Sequence, residues 1–427
     1  MASTDDSERT YALLTKGATH LVDEADLRRK LARAKKENRP LTVKVGFDPS
    51  APDIHLGHAV LLMKMRHFQD AGHRVIFLIG DFTGLIGDPS GKKSTRPQLT
   101  RPEIERNAES YAAQCFKVLD PEKTEIRYNS EWFLGGGAEN RPALGADGFV
   151  RLASKITVAR VLERDDFARR WAAHHPISLH ELMYPLSQGY DSVALKADVE
   201  LGGTDQLFNL LLGRDLMREE GMEPQVVMTV PLLVGTDGVE KMSKSLGNAI
   251  GVNDSPADMF GKIMSISDET MWSYATLLTG ETPDEIEKRK RDVAAGRLHP
   301  MDAKKSLARE IVSRFHGAEA AEKAQEEFTR VFSRHQLPEK IERMTIPVEI
   351  HPGNRRVPVA WLVFTAGMAK SIREAGRSID AGAVSLDGLK IETANPHYEF
   401  PEGALESEIL LRVGKRGFMK LTLRRSE

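Results

Sequence analysis

Residues Val43–His58 read VKVGFDPSAPDIHLGH, and the fold is decided here. The apolar run 41–47 predicts a strand, which ends in a turn rich in glycine, proline and aspartate. From Leu56 to Asp70, LGHAVLLMKMRHFQD, apolar residues recur at helical spacing. A strand, a tight turn and a helix N-terminus in succession make an anion site, because free backbone N–H groups and the positive end of the helix dipole meet there.

Two histidines, His55 and His58, stand three residues apart in the first helical turn. They face the same side of the helix and would place two donors beside the anion site. A hydrogen-bonded surface pair and a pair of metal ligands are the alternative interpretations. The metal interpretation needs a third ligand at short spacing, and the neighbouring sequence has none.

The next apolar run, Arg74–Phe82 (RVIFLIGDF), predicts a buried parallel strand. Strand, helix and strand in this order make a right-handed βαβ unit and indicate a doubly wound parallel sheet of the Rossmann-like α/β class. Ligands of such sheets bind at the carboxyl ends of the strands. The HLGH turn at 55–58 falls at that edge.

The loop after this strand, Gly80–Pro97, reads GDFTGLIGDPSGKKSTRP. Its glycines permit close backbone approach, and Asp88 is expected within the crevice. Lys92 and Arg96 add positive charge. A solvated turn is the alternative, but the position beside the HLGH turn favours a functional loop.

A second motif, Lys241–Ser245 (KMSKS), lies far downstream in a loop flanked by glycines, VGTDGVEKMSKSLGN. Two lysines and two hydroxyls on a loop after an apolar strand suit a mobile clamp for a polyphosphate. A solvated basic loop is the alternative. With HLGH first and KMSKS second, the chain resembles the class I aminoacyl-tRNA synthetases, whose paired signatures are a HIGH-type turn and KMSKS.

A helical stretch with Tyr184, Gln188 and Asp191 on one face precedes the turn Gly202–Gln206, GGTDQ. Alone, the two segments read as an amphipathic helix and a simple turn. Together they resemble the tyrosine pocket of the tyrosyl-tRNA synthetases, with a Tyr-x-x-x-Gln-x-x-Asp helix and a Gly-Gly-x-Asp-Gln turn.

The resemblance implies a role for each matching residue. Tyr184, Gln188, Asp88 and Thr83 would hold the α-amino group of tyrosine, Asp191 would accept the phenol O–H, and Gln206 would line the pocket. The implied ATP site comprises Asp48, Ser50, Gly57, Gly203, Asp205 and Lys244. The residues implied to stabilise the triphosphate and the departing pyrophosphate are His55, His58, Lys92, Arg96, Lys241, Lys244 and Ser245. Lys44 departs from the pattern, since many relatives carry there a tyrosine that also touches the substrate hydroxyl.

The chemistry explains these residue types. Activation is attack by a carboxylate on the α-phosphorus of ATP, and the carboxylate is already anionic, so no general base is required. The site must align two anions and place positive charge and donors where pyrophosphate gains charge. The resemblance implies tyrosine, tRNA(Tyr) and ATP with Mg²⁺ as substrates, and we expect neither a protein-bound metal nor an organic cofactor.

The chain is predicted to comprise several segments: a Rossmann-like catalytic domain (1–232), a KMSKS loop (233–250), an α-helical anticodon-side domain (251–336), a linker (337–356) and a small α+β domain (357–427). The last resembles the S-four-like RNA-binding domain of ribosomal proteins in its run AKSIREAGRSIDAGAVSLDG. Its candidate RNA-binding residues are Lys370, Arg373, Arg377, Lys415 and Arg416.

Composition limits the other possibilities. The 60 Lys plus Arg nearly balance the 62 Asp plus Glu, so any RNA contact must come from local patches. One cysteine excludes an internal disulfide framework and favours a reducing, cytoplasmic setting. No apolar run approaches the roughly 18 residues of a membrane span. A homodimer is expected from the resemblance alone, and a tryptophanyl-tRNA synthetase or a catalytically silent RNA-binding relative are the alternatives.

Overall fold

The computed structural model describes residues 4–50, 53–90, 99–136, 142–330, 341–351, 355–391, 396–414 and 417–426. The chain divides into two compact units, Met1–Gln325 and Glu326–Glu427. No helix in these described ranges is long and apolar enough to cross a membrane.

The first unit is built on a six-stranded sheet of order β1-β6-β5-β2-β3-β4. All neighbouring strands are parallel except β1, which pairs antiparallel with β6. The Rossmann-like doubly wound sheet predicted from the sequence is confirmed, whereas the short edge strand β1 was not predicted. The strands are β1 (His20–Val22), β2 (Thr42–Phe47), β3 (Arg74–Ile79), β4 (Thr124–Tyr128), β5 (Val199–Gly203) and β6 (Val226–Val230).

The order of the strands defines a switch point between β2 and β5. From β2 the chain continues to β3 and β4 on one side, and it returns to β5 and β6 on the other. Loops that leave adjacent strands in opposite directions open a crevice at their carboxyl ends, where ligands of this fold bind. The turn after β2 and the short 3₁₀ turn Thr204–Gln206 after β5 both lie at this edge.

Helices cover the sheet and continue beyond it. The helix predicted at Leu56–Asp70 is confirmed at both ends. Residues 145–172 form three helices in succession, since Thr157 and Arg164 have extended backbones and begin new helices. The helices that begin in this unit are α1 (Thr4–Thr15), α2 (Glu24–Glu37), α3 (Leu56–Asp70), α4 (Thr83–Ile86), α5 (Arg101–Cys115), α6 (Ser130–Phe133), α7 (Gly145–Ala153), α8 (Val158–Val161), α9 (Asp165–Ala172), α10 (Tyr184–Leu195), α11 (Leu207–Glu219), α12 (Pro256–Ser265), α13 (Asp268–Leu278), α14 (Pro283–Ala294), α15 (Pro300–His316) and α16 (Ala318–Phe328).

The second unit packs two helices on a five-stranded sheet of order β10-β9-β12-β13-β7, beside a two-stranded pair of β11 and β8. Residues 342–348 were predicted to lie in a linker but form β7, which pairs in parallel with β13. Most side chains of β7 are exposed, so its sequence lacks a strand's apolar pattern. The elements are β7 (Glu342–Val348), β8 (Arg356–Pro358), α17 (Val359–Thr365), α18 (Ile372–Asp380), β9 (Val384–Leu386), β10 (Leu389–Lys390), β11 (His397–Glu399), β12 (Glu406–Val413) and β13 (Gly417–Arg425).

Candidate active site

A cavity of about 790 Å³ opens at the carboxyl edge of the sheet in the first unit. It brings together residues that lie far apart in the sequence. Lys92 and Arg96 lie outside the described residues. The predicted catalytic, ATP-binding and tyrosine-binding residues that line it are Asp48, Ser50, His55, Gly57, His58, Thr83, Asp88, Tyr184, Gln188, Asp191, Gly203, Asp205, Gln206, Lys241, Lys244 and Ser245.

The two histidines cap α3 with their rings. His55 is the N-cap, and its Nδ1 accepts the backbone N–H of Gly57 at 3.1 Å. The Nδ1 of His58 accepts the backbone N–H of His55 at 3.3 Å. Since a neutral imidazole that accepts at Nδ1 carries its proton on Nε2, each ring keeps an N–H donor for an anion. A Cβ on Gly57 would stand 2.8 Å from the His55 ring, so only glycine fits beside the capping ring.

Burial keeps this pair uncharged. It lowers the pKa of His58 to about 3, and the neighbouring His55, Lys244 and Lys241 act in the same direction. Burial, followed by Lys244 and Lys241, lowers the pKa of His55 to about 4. Near pH 7 both rings are therefore neutral donors, and the positive charge of the site resides on the lysines.

Asp191 lines the cavity and is buried, with 3 % of its surface exposed. Trp132 donates its indole N–H to Oδ1 at 3.0 Å, and Asn129 Nδ2 lies 3.5 Å from Oδ2. Burial raises the pKa of Asp191 to about 8, and the positive charge of Lys44 opposes that rise. The buried carboxyl group of Asp191, which lines the cavity, is placed to form a hydrogen bond with a ligand.

Asp48 joins two of the predicted tyrosine-binding residues. Its Oδ2 accepts the phenol O–H of Tyr184 at 2.9 Å, and its Oδ1 accepts the hydroxyl of Thr83 at 2.7 Å. A Cβ on Gly80 would stand 2.1 Å from Oδ1 of Asp48, so the close approach of β3 to this carboxylate requires glycine. The resemblance implied a place for Asp48 in the ATP site, and the structure also bonds it to two residues predicted to bind tyrosine.

Asp88 is held by two elements that follow it in the chain. Arg164 Nη2 donates to Oδ1 at 3.2 Å, and Gln206 Nε2 donates to Oδ2 at 3.0 Å. Burial acts to raise the pKa of Asp88, but Arg164 and the hydrogen bonds from Ser90 outweigh it and hold the pKa below its usual value. Asp88 is therefore a carboxylate, suited to an ammonium group.

Asn209 fixes the two glutamines of the pocket. Its Nδ2 donates to Oε1 of Gln188 at 2.7 Å and to Oε1 of Gln206 at 3.0 Å. The side-chain orientation of both amides is thus set from α11. Sequence reasoning missed Asn129, Trp132, Arg164 and Asn209, although Asn209 stands three residues after Gln206 and shares its helical face.

The KMSKS loop closes one wall of the cavity. Lys244 Nζ lies 2.6 Å from Oδ2 of Asp53, and both side chains are nearly half exposed. The side-chain hydroxyl oxygens of Ser243 and Ser245 lie 2.9 Å apart, within hydrogen-bond distance. Burial, followed by the charge of Asp88, raises the pKa of Asp205. The wall therefore combines lysines with hydroxyls, which can contact phosphate oxygens.

Candidate RNA-binding residues lie in the second unit. Lys370 directly precedes the N-cap of α18, and Arg373 and Arg377 stand one turn apart on that helix, all three exposed. Lys415 and Arg416 lie outside the described residues. Nearby in sequence, the guanidinium of Arg412 lies 5.2 Å from the ring centre of Phe418.

Comparisons with known proteins agree on one family. The model of the tRNA synthetases class I (W and Y) matches residues 35–333. A tyrosine–tRNA ligase of Oleidesulfovibrio alaskensis is 51% identical over 98% of this chain and 100% of the relative. A tyrosine–tRNA ligase of Thiobacillus denitrificans is 52% identical over 97% of this chain and 100% of that protein.

Solved structures with the same fold include two synthetases. The tyrosyl-tRNA synthetase of Archaeoglobus fulgidus, complexed with L-tyrosine, has a TM-score of 0.59 and 25% identity, and the match covers 75% of this chain and 99% of that chain. The C-terminally truncated mitochondrial tyrosyl-tRNA synthetase of Aspergillus nidulans has a TM-score of 0.61 and 22% identity, covering 76% and 94% of the two chains.

Proposed function

Because this chain belongs to the class I tRNA synthetases, in the branch that ligates tyrosine to tRNA, we propose how its cavity performs that reaction. Tyrosine and ATP bind side by side at the sheet edge, tyrosyl-adenylate and pyrophosphate form, and tyrosine passes to the 3′ end of tRNA(Tyr). One observation carries the assignment of the site: the HLGH histidines, the KMSKS lysines and Asp191 line a single cavity.

We assign the tyrosine pocket to the end of the cavity that holds Asp191. The substrate phenol donates its O–H to this buried carboxyl group, whose hydrogen-bond partners within the described part of the chain are Trp132 and Asn129. The α-amino group binds between Asp88 and Tyr184, since the carboxylate of Asp88 can pair with an ammonium ion. Gln188, Gln206 and Thr83 complete this pocket.

The ATP site is assigned to the end formed by α3 and the KMSKS loop. Asp205 takes the ribose hydroxyls, Asp48 and Ser50 flank the adenylate, and Gly57 and Gly203 let the backbone approach the nucleotide. The triphosphate lies at the α3 N-terminus, where backbone N–H groups and the Nε2–H groups of His55 and His58 point to anions. Mg²⁺ enters as part of the ATP substrate.

The reaction needs no proton transfer at the attack step. The tyrosine carboxylate attacks the α-phosphorus, and negative charge moves onto the pyrophosphate that leaves. Lys241, Lys244 and Ser245 meet this charge as it grows, and we assign Lys92 and Arg96 the same task. Removing one such donor is expected to cost about 2.7–4 kcal/mol of transition-state stabilisation, by analogy with oxyanion-hole deletions.

We propose further that the chain acts as a cytoplasmic homodimer. The support is a run of exposed large apolar side chains within residues 134–179, because such side chains are common in subunit interfaces. They are Leu134, Val150, Val158, Trp171 and Leu179, exposed between 47% and 78%.

We propose that basic residues of the second unit contact tRNA(Tyr). They are Lys370, Arg373, Arg377, Lys415 and Arg416.

The experiment is the charging of tRNA(Tyr) with labelled tyrosine by the purified chain. We expect charging that depends on ATP and that falls by two to three orders of magnitude in Lys241→Ala, as for loss of one transition-state donor. Lys123→Ala, which removes an exposed lysine outside the cavity, is the control and should charge normally. Failure of the unsubstituted chain to charge tRNA would refute the function.

A further inference from the structure

A buried ion pair lies next to the acceptor of the tyrosine pocket. Lys44 on β2 and Glu200 on β5 are register partners in the parallel sheet, and Lys44 Nζ lies 2.6 Å from Oε1 of Glu200. Both side chains are almost fully buried, at 0% and 2% exposed. A buried pair of charges is costly to desolvate and is weak evidence of a stabilising role, so its presence beside a substrate pocket calls for a functional reason.

Lys44 does not line the cavity, so it has no direct contact with a ligand there. The ion pair is instead tied to the helix that carries Asp191. Glu200 Oε2 accepts the hydroxyl of Ser192 at 2.9 Å, and Ser192 directly follows Asp191 on α10. Gln225 donates to the same oxygen. The ion pair is therefore hydrogen-bonded to the helix that carries Asp191, and Lys44 is not among the residues that line the cavity.

We propose that the Lys44–Glu200 pair is a specificity-determining element of the site, in which Lys44 favours the charged form of Asp191, the form that accepts the O–H of tyrosine. Lys44 is thus a positioning residue that acts through Asp191. This inference rests on the proposed role of Asp191 in the tyrosine pocket. It gives the lysine a role other than the substrate contact made by the tyrosine of many relatives.

The effects of the neighbouring charges on the pKa of Asp191 have the direction that this proposal requires. The charged groups that act on Asp191 are Lys44 and Glu200, and the polar donors are Trp132 and Asn129. Burial raises the pKa of Asp191, Lys44 lowers it, and the opposing effect of Glu200 is smaller than that of Lys44. The pair as a whole therefore favours the carboxylate, and loss of Lys44 would leave Asp191 protonated over a wider pH range.

The test measures kcat/KM for tyrosine and for phenylalanine in ATP–pyrophosphate exchange across pH 6 to 9, where the phenol of the substrate tyrosine stays protonated. Their ratio cancels titrations that affect both substrates equally, such as those of the α-amino group and ATP. We expect the ratio to rise with pH as Asp191 ionises, because the carboxylate needs a donor that only tyrosine supplies. In Lys44→Met the rise should move to higher pH by about one pH unit or more. At a pH below the midpoint of the rise, the ratio for Lys44→Met should then be roughly tenfold lower than the ratio for the unsubstituted chain.

The matched control is Lys30→Met. Lys30 is also a buried lysine of the first unit, but it bonds the backbone carbonyls of Asp198 and Pro224, before β5 and β6. This variant should leave the pH profile of the ratio unchanged. An unmoved profile in folded Lys44→Met, or an equal shift in Lys30→Met, would overturn the proposal.

Glu200→Gln provides a second arm if Lys44→Met does not fold. This variant removes the anion while Lys44 stays, so the rise of the tyrosine-to-phenylalanine ratio should move to lower pH. A rise at unchanged pH, or at higher pH, would overturn the proposal. The outcomes are distinguishable from failure of the proposed function. If the unsubstituted chain gave no tyrosine-dependent exchange, the function itself would be refuted, whereas normal exchange with unmoved profiles refutes only the role of Lys44.

Discussion

We propose that substrate choice depends on Asp191. Its carboxylate is buried with two donors in place, and a bound phenylalanine would leave it without the third. A site built to hydrogen-bond a substrate hydroxyl rejects the analogue that lacks it, because the buried polar group is left unpaired. The tyrosyl-tRNA synthetases are themselves the standard example of this rule, at about 10⁵, so that magnitude is a property of the class as a whole.

Asp191→Ala should therefore reduce the preference for tyrosine over phenylalanine by several orders of magnitude. The measurement is the ratio of kcat/KM values in pyrophosphate exchange. Asp198→Ala is the control, since Asp198 is also buried but bonds the backbone of Thr42 at the other end of the sheet. An unchanged ratio in Asp191→Ala would rule out the role of this carboxylate.

Single residues of the site were predictable where a short motif contains them. His55, Lys244 and Asp191 each belong to a spaced pattern, and all three line the cavity. Trp132 and Arg164 were missed because each comes from a segment with no pattern of its own and reaches the site only through the tertiary fold. Lys44 was recognised as a departure from the family, but its pairing with Glu200 depends on strand register.

Among the elements, the N-terminus of α3 makes a prediction about acid stability. The pKa values of His55 and His58 are lowered to about 4 and about 3, mainly by burial. In the unfolded chain both would titrate near the ordinary value of about 6.5. Below that pH the unfolded state binds more protons than the folded state, so these histidines make the free energy of unfolding fall as the pH falls from about 6.5 towards 4.

Replacing both histidines by asparagine, which also caps helices well, should flatten this dependence. The measurement is the urea midpoint between pH 4.5 and 7.5. His299→Asn is the control, because His299 caps α15 through the same Nδ1 bond, at 3.1 Å, but is exposed. An equal slope in the double variant and the unsubstituted chain would contradict the account of α3.

Elements were predictable where burial imposes a regular pattern. The helix Leu56–Asp70 was placed correctly because its apolar spacing begins and ends sharply. The strands β1 and β7 were missed, since β1 has three residues and β7 is mostly exposed, so neither has a strand's alternation.

At the scale of the whole molecule, we propose that the first unit activates tyrosine and that the second unit contacts tRNA. The cavity belongs to the first unit, and the exposed basic residues Lys370, Arg373 and Arg377 belong to the second. Changing these three residues to glutamine should weaken tRNA binding and reduce its dependence on salt, because each phosphate contact releases counterions. Tyrosine-dependent pyrophosphate exchange should stay normal.

The measurement is the KM for tRNA(Tyr) in charging at two salt concentrations. Glutamine substitutions at Arg28, Lys123 and Arg218, exposed basic residues of the first unit, serve as the control. If the triple variant of the second unit charged tRNA with an unchanged KM, its surface would have no part in tRNA binding. Loss of exchange would also contradict the division of tasks.

We propose that one cavity both selects tyrosine and activates it with ATP. Amino-acid-dependent ATP–pyrophosphate exchange with tyrosine, phenylalanine and tryptophan tests it most directly, with Lys244→Ala in parallel. We predict exchange with tyrosine far above the other two, slowed by two orders of magnitude or more in Lys244→Ala. Equal exchange with tryptophan, or exchange with tyrosine that does not depend on Lys244, would contradict the claim.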